Sequence, residues 1–201
     1  IRRQRQMCIR DRLPVEPGRY RLLWAPVCPW AHRSVIVRRL LGLEDVISLG
    51  TADPKRPDVP RSDWAFTLDE GDVDPVLGIH YISEAYLAAD PDYTGRFTVP
   101  ALVDIPSGKV VNNDYFNLTL YFETAWKPYH KEGAPDLYPE DLREEIDKLN
   151  DIIFREVNNG VYKAGFARKQ KAYDRAYNMV FNRLDWLEAV SYTHLRAHET
   201  E

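Results

Sequence analysis

The chain has 201 residues, 44% of them hydrophobic, including 12 tyrosines and 5 tryptophans, enough to pack one generous domain or two small ones. No apolar run approaches the roughly eighteen residues of a membrane span, and the basic N-terminus lacks the apolar stretch of a secretory signal, so a cytoplasmic globular protein that avoids membranes is expected. The formal charge is −4, with five arginines against one aspartate in residues 1–12 and one arginine against two glutamates in 190–201; the −7 body between them argues against nucleic acid as a partner.

Both ends stand apart from this body. "IRRQRQMCIRDR" (1–12) has neither periodicity nor turn logic, and "VSYTHLRAHETE" (190–201) cuts across a helical pattern still running at Leu184 to Leu187. Both resemble translated read-through of sequencing adapters and are expected to be non-native extensions, so Cys8, His194 and His198 are left out of the functional reading. The rival reading of the first is a basic arm that binds an acidic surface.

In chain order, "RYRLLWAPV" (19–27) is aromatic and apolar enough for a buried strand that Pro26 ends. "PWAHRSVIVRRLLGL" (29–43) reads as a helix, with Pro29 at its first position, Val35, Ile36, Leu40 and Leu41 as its apolar face and Gly42 closing it. "DVISLGTA" (45–52) is the next strand. Residues 53–80, rich in Pro, Asp and Gly with Trp64 and Phe66 embedded, are too long for an idle connection and are expected to cover something. "ISEAYLAAD" (82–90) is a short helix, and "FTVPALVDIPSGKVVNN" (97–113) is two strands joined by a Pro-Ser-Gly turn. Asp114 then caps a helix in "FNLTLYFETAW".

Strand, helix, strand, insertion, helix, hairpin, helix is the thioredoxin order, although pattern alone does not decide it. Residues 13–125 are therefore expected to form a thioredoxin-like α/β domain and 126–138, with its prolines and charges, a linker. In 139–189, "PEDLREEIDKLNDIIFREVNNG" is an amphipathic helix carrying Leu142, Ile146, Leu149 and Ile153 on one side, and "QKAYDRAYNMVFNRLDWLEA" is a second with a stripe through Tyr173, Tyr177, Val180 and Leu184. Two helices leave apolar surface without a partner, so this all-α domain is expected to be incomplete at Ala189.

"VCPWAHR" (27–33) carries the chemistry. A cysteine at a helix start faces unpaired backbone N–H groups and the positive end of the helix dipole, which favour thiolate over thiol; His32 and Arg33 stand one turn on. Position 31, where a thioredoxin carries its resolving cysteine, is Ala31, so a diffusible thiol must resolve any mixed disulfide on Cys28. The plainer alternative is a small buried hydrophobe. Pro100 fits the cis-proline that thioredoxin folds place beside the reactive cysteine, where Val99 would pair with the backbone of a bound thiol; an ordinary edge-strand proline is the rival. Trp30 and Trp64 either wall a pocket or pack in the core. His80 and His130 have no metal-ligand spacing with Cys28, and no metal is expected.

Taken together, "EPGRYRLLWAPVCPWAHRSVIVRRLLGLEDVIS", "DPDYTGRFTVPALVD", "GKVVNND", "LYPEDLREEIDKLN" and "VNNGVYKAGFA" resemble the glutathionyl-hydroquinone reductases, the Xi or Omega-like class of glutathione transferases. The resemblance implies a thioredoxin-like N-terminal domain, an all-α glutathione-transferase C-terminal domain, and glutathione as co-substrate. It also implies removal of glutathione from a quinone-derived aromatic substrate, with Cys28 as nucleophile and Tyr162 as proton donor and acceptor for the leaving ring. Trp64, the segment Arg96, Phe97, Thr98 and Val99, and Asp114 match the glutathione-binding positions. Tyr115 departs from the family's serine, which puts glutathione itself in question and leaves room for another low-molecular-weight thiol. The family's later helices and two further pocket tyrosines lie beyond the matching segment. A homodimer is implied by the family and not decided by the residues. A general thiol transferase or deglutathionylase, and a non-catalytic binding module of the same fold, remain the alternatives.

Overall fold

The structure is a computed structural model that describes residues 13–56 and 63–198; the expectations for residues 1–12, Cys8 among them, lie outside the described residues. The chain divides into two compact units, up to Leu137 and from Tyr138 onward.

The first unit is built on a four-stranded sheet in the order β2-β1-β3-β4. β1 (Tyr20–Trp24) runs parallel to β2 (Ile47–Thr51) and antiparallel to β3 (Ala101–Asp104), which pairs antiparallel with β4 (Lys109–Asn112) across a register shift between Leu102 and Val103. The parallel pair is joined by α1 (Pro29–Leu40), the crossover that parallel strands require. α2 (Ile82–Ala89) precedes the hairpin and α3 (Leu118–Thr124) follows it. This is the thioredoxin-like arrangement expected from the sequence.

Strand alternation divides the core into two layers. Leu23, Ala101, Val103 and Val110 pack with Ile82, Ala85 and Tyr86 of α2 and with Trp64 and Phe66 of the insertion. Leu22, Leu102 and Val111 pack on the other face with Val35, Leu118, Phe122 and Trp126. Each fully buried Leu or Phe contributes about 1.5–3 kcal/mol relative to exposure, so a slip of one residue in β1 would exchange the two layers and lose both.

The insertion is folded rather than draped. Ala65 bridges Tyr81, Trp64 O accepts the Ile82 N–H, and Phe66 N–H bonds His80 O. Asp74, fully buried, ties it to the sheet: its Oδ2 accepts from Arg21 Nε at 2.9 Å and lies 2.8 Å from Arg21 Nη2, while Oδ1 accepts the Val76 and Leu77 N–H groups.

Two expectations change in this unit. Of the apolar face assigned to α1, Val35 and Leu41 are buried but Ile36 and Leu40 are 46% and 43% exposed; the inward side is Ala31, Ser34, Val35 and Arg38. Arg38 is accommodated because its Nε–H bonds Ile47 O at 2.6 Å and Nη2 bonds Glu44 O. Of residues 126–138, read as linker, those up to Leu137 belong to the first unit: Trp126 is fully buried, edge-on to Tyr20, and Leu137 N–H bonds Glu123.

In the second unit, the long helix expected over 139–160 is interrupted. α4 (Arg143–Ile153) passes into a π-helical turn at Phe154–Asn158, then α5 (Asn159–Gly165), before α6 (Gln170–His198). The stripe assigned to the last helix also shifts: Val180 is buried as expected, together with Ala176, whereas Tyr173, Tyr177 and Leu184 are exposed. Gly160 is buried against Val180, where a Cβ would stand 2.5 Å from Val180 Cγ2, so glycine sets how closely α5 and α6 approach. Arg183 Nε–H bonds Glu156 Oε2 across the same contact.

Candidate active site

Cys28 is the residue that caps the start of α1. Its backbone is extended (φ −95°, ψ 107°), Pro29 occupies the first helical turn, and the His32 N–H bonds the Cys28 carbonyl at 2.9 Å. Pro29 fits because that position needs no intrahelical donor and its fixed φ is already helical. No side-chain cap bond is made by the cysteine. The half-buried thiol instead points to Val99, donating to its carbonyl at 3.5 Å, and the Val99–Pro100 peptide is cis.

Val99 and Phe97 belong to the same apolar cluster as Trp64, and Cys28 packs against that cluster. The strand-like approach to Pro100 is held from below: Tyr86 OH donates to Thr98 O at 2.8 Å and receives the Asn113 Nδ2–H at 3.2 Å. Burial pushes the Tyr86 phenol up to about 12, so it remains a neutral donor throughout the physiological range. Tyr93 OH likewise bonds Arg96 O at 3.1 Å. Arg96 is exposed at the rim.

Trp30, two residues after the cysteine, meets Tyr115 across the fold, with ring centroids 4.8 Å apart at 58°. Asp114, 7% exposed, caps the approach to α3: Oδ1 accepts the Phe116 and Asn117 N–H groups and Oδ2 accepts Asn117 Nδ2. Arg33 bonds Phe116 O at 3.2 Å, and burial lowers its pKa. His32 lies against Trp24, with ring centroids 5.9 Å apart.

Trp64, 7% exposed, walls the apolar side. Its indole Nε1 is buried with no hydrogen-bond partner among the described residues, and the Arg56 guanidinium lies 4.0 Å above its ring, a cation–π contact. Burial lowers the Arg56 pKa; neighbouring Asp63 and Cys28 act against that fall and Arg96 adds to it, so Arg56 stands within electrostatic reach of the cysteine.

The first unit thus brings together Cys28, Trp30, Trp64, Phe97, Thr98, Val99, Asp114 and Tyr115 around the start of α1. Tyr162 belongs to the second unit, in α5, where it is 37% exposed and stacks on Phe166 with ring centroids 6.3 Å apart. Arg56, Tyr86 and Asn113 escaped the sequence reading. Arg56 and Trp64 belong to one loop-rich insertion, but their stacking depends on how that loop folds. Nothing local to "SEAYLA" marks Tyr86 as the support of Thr98. Among the described residues no cluster of His, Cys, Asp and Glu could hold a metal ion, and no helix is long and apolar enough to cross a membrane.

The family model of the glutathione S-transferase N-terminal domain matches residues 27–125, the segment that runs from Val27 through α3. The glutathionyl-hydroquinone reductase PcpF of Sphingobium chlorophenolicum is 40% identical over 176 residues, 86% of this chain and 54% of that protein. A glutathione transferase from Gordonia bronchialis superposes with a TM-score of 0.83 at 54% identity, over 87% of this chain and 53% of that one. The glutathione-bound structure of YqjG, a glutathione transferase homolog from Escherichia coli, gives 0.77 at 40% identity, over 88% and 57%. The chain spans about half the length of the curated relatives it matches. Fold, the cysteine-proline start of α1, the cis-proline facing it, and similarity over most of the chain agree: this chain belongs to the glutathione S-transferase family.

Proposed function

We propose that the chain forms the thiol-handling part of a glutathionyl-hydroquinone reductase. In the first step the Cys28 thiolate attacks the sulfur of the glutathionyl thioether, forming a mixed disulfide while the carbon–sulfur bond breaks. The electron pair released to the ring carbon takes a proton from Tyr162, and the hydroquinone leaves. A second glutathione then attacks the mixed disulfide as thiolate, its thiol proton restoring Tyr162; oxidised glutathione departs and Cys28 is regenerated, so the thioether sulfur and one thiol sulfur are oxidised as one aromatic carbon is reduced.

The observation that carries this reading is the placement of Cys28: a half-buried sulfur at the first turn of α1, 3.5 Å from the Val99 carbonyl, with Ala31 where an internal resolving thiol would stand. The Val99 main chain offers pairing groups to the peptide backbone of a thiol bound there, and the unpartnered Trp64 indole N–H offers a donor. Relatives named as glutathionyl-hydroquinone reductases, and a homologous structure holding glutathione, support the choice of substrate and co-substrate. Reduction by free thiols suits the cytoplasm, with a homodimer as the working form.

The test supplies a glutathionyl-hydroquinone and glutathione and follows hydroquinone and oxidised glutathione together. Cys28→Ser is expected to abolish both products. Tyr162→Phe is expected to slow hydroquinone release about 100-fold, the worth of one positioned proton donor, while leaving exchange with a simple disulfide unchanged. No loss in either assay with Tyr162→Phe would favour a general thiol transferase, whose chemistry needs only the first unit.

A further inference from the structure

Charge is unevenly spread around Cys28. The body of the chain is acidic, −7 over residues 13–189, and its summed field repels an approaching anion. Beside the cysteine the sign reverses. Arg56 and Arg96 are both exposed; they repel each other, and the Arg56 guanidinium is attracted to the Cys28 sulfur when that is ionised. The fold holds this cation in place. Arg56 lies over the ring of Trp64, 4.0 Å from its centroid. Trp64 is a fixed platform, 7% exposed, with its N–H bonded to Asp63 Oδ1 at 2.7 Å and its carbonyl to the Ile82 N–H at 3.0 Å, and it shares with Val99 the apolar cluster on which Cys28 packs. Arg96 is anchored through its carbonyl, which accepts from Tyr93 OH at 3.1 Å, in the same extended segment as the Val99 carbonyl that meets the thiol at 3.5 Å. Asp63, the carboxylate that acts on Arg56, is buried and also accepts from the Trp64 N–H and from Ser83. With Asp63 ionised, Arg56, Arg96 and Asp63 together still carry a net positive charge.

We infer that Arg56 is a specificity-determining residue that selects negatively charged thiols and disulfides for reaction at Cys28, through the field it sets up with Arg96 and not through a bond to the sulfur. This deepens the proposed function and rests on it, naming the charge class of the diffusible partner: carboxylate-bearing thiols are drawn in against the repulsion of the acidic body, and neutral ones gain nothing. A cation at an exposed rim acts on the encounter and is screened by salt.

The test uses the whole chain with Cys8→Ser, which leaves Cys28 as its only thiol, and two aromatic disulfides: dithiobis-nitrobenzoate, a dianion, and dithiodipyridine, which is uncharged. With each, the Cys28 thiolate attacks one probe sulfur, the probe's S–S bond breaks, and the arylthiolate leaves with the electron pair, so its absorbance times the reaction. Dividing the two rate constants cancels any change in the thiolate fraction of Cys28, which both probes share. Arg56→Gln is expected to lower this dianion-to-neutral ratio about 3- to 10-fold. Arg56→Lys, which keeps the charge and loses the planar stack, is expected to retain most of it. Raising salt from about 0.01 M to about 0.3 M should lower the ratio of the parent more than that of Arg56→Gln. A ratio unchanged in Arg56→Gln, even with both rates reduced, an equal fall in Arg56→Lys, or a parent ratio indifferent to salt would overturn the inference alone. A Cys28 inert to both probes would overturn the underlying reading and the inference with it.

Discussion

Replacing Asp74 by alanine tests how the Trp64 wall is held. Asp74 is fully buried and Arg21 nearly so, the guanidinium presenting Nε and Nη2 to one carboxylate oxygen at 2.9 and 2.8 Å. Gly50 of β2 makes room for the pair, since a Cβ there would stand 2.7 Å from Asp74 Oδ2 and 2.9 Å from Arg21 Nε. Asp74→Ala leaves Arg21 charged and unpaired in the interior, which costs about 3–5 kcal/mol. It also releases the Val76 and Leu77 N–H groups from Oδ1, adding about 1 kcal/mol. The combined loss is a large fraction of the 5–15 kcal/mol that holds a typical domain. Urea unfolding followed by tryptophan fluorescence should therefore show a loss of about 4 kcal/mol or more, or outright unfolding. Asp74→Asn, which retains an acceptor for the two N–H groups, should fall between the variant and the parent. A loss below about 1 kcal/mol, the range of solvated pairs, would refute the buried-pair reasoning.

Three further outcomes follow from the same geometry. Gly160→Ala should destabilise the second unit by about 1–2 kcal/mol, because the new methyl meets the stiff Val180 side chain, whereas Gly165→Ala, with open space around it, should stabilise α5 by up to about 1 kcal/mol; thermal melting distinguishes them, and equal effects would contradict the packing. Burial raises the Glu123 pKa, with the Leu137 N–H acting against the rise. The folded chain therefore binds this proton more readily than the unfolded one, and the cost of ionising Glu123 grows as pH climbs from the unfolded carboxylate range through the raised folded value. Glu123→Gln should match the parent at acidic pH and exceed it in stability at neutral pH; a constant difference across that range would refute the assignment. Finally, Trp64→Phe keeps the apolar wall and loses the indole N–H, so glutathione binding should weaken by about 5- to 10-fold with little change in stability, measured by calorimetry; unchanged affinity would remove Trp64 from the site.

Much of the first unit is legible because its signals are local. Alternation in "YRLLW" and "ALVD" fixes which side chains face which layer, and proline or glycine marks the boundaries. What fails is the choice of helix face where a charged residue turns inward. Arg38 breaks the apolar count of α1 but finds carbonyl partners at Ile47 and Glu44, leaving Ile36 and Leu40 outside. Trp126 sits among proline and charge, a composition that reads as linker, yet the ring completes the core beside Tyr20. The π-helical turn at Phe154–Asn158 leaves no compositional trace because it shifts hydrogen bonds and not residue types.

The candidate site divides in the same way. Cys28 and Pro29, Pro100 and Asp114 announce themselves by short-range chemistry: a helix start, a strand start, a cap. The pairs Trp30–Tyr115, Arg56–Trp64 and Tyr86–Thr98 join distant segments or depend on the fold of a long insertion. Motif logic names some of these residues but cannot show that they touch.

The central claim is that Cys28 accepts a glutathionyl group and surrenders it only to an external thiol. Incubating the whole chain with oxidised glutathione and mapping the adduct by peptide mass spectrometry tests this directly. The account predicts one glutathionyl group on the peptide bearing Cys28, absent in Cys28→Ser, stable on removal of free thiol and lost when glutathione is added. An unmodified Cys28, or an adduct that disappears without added thiol, would contradict it.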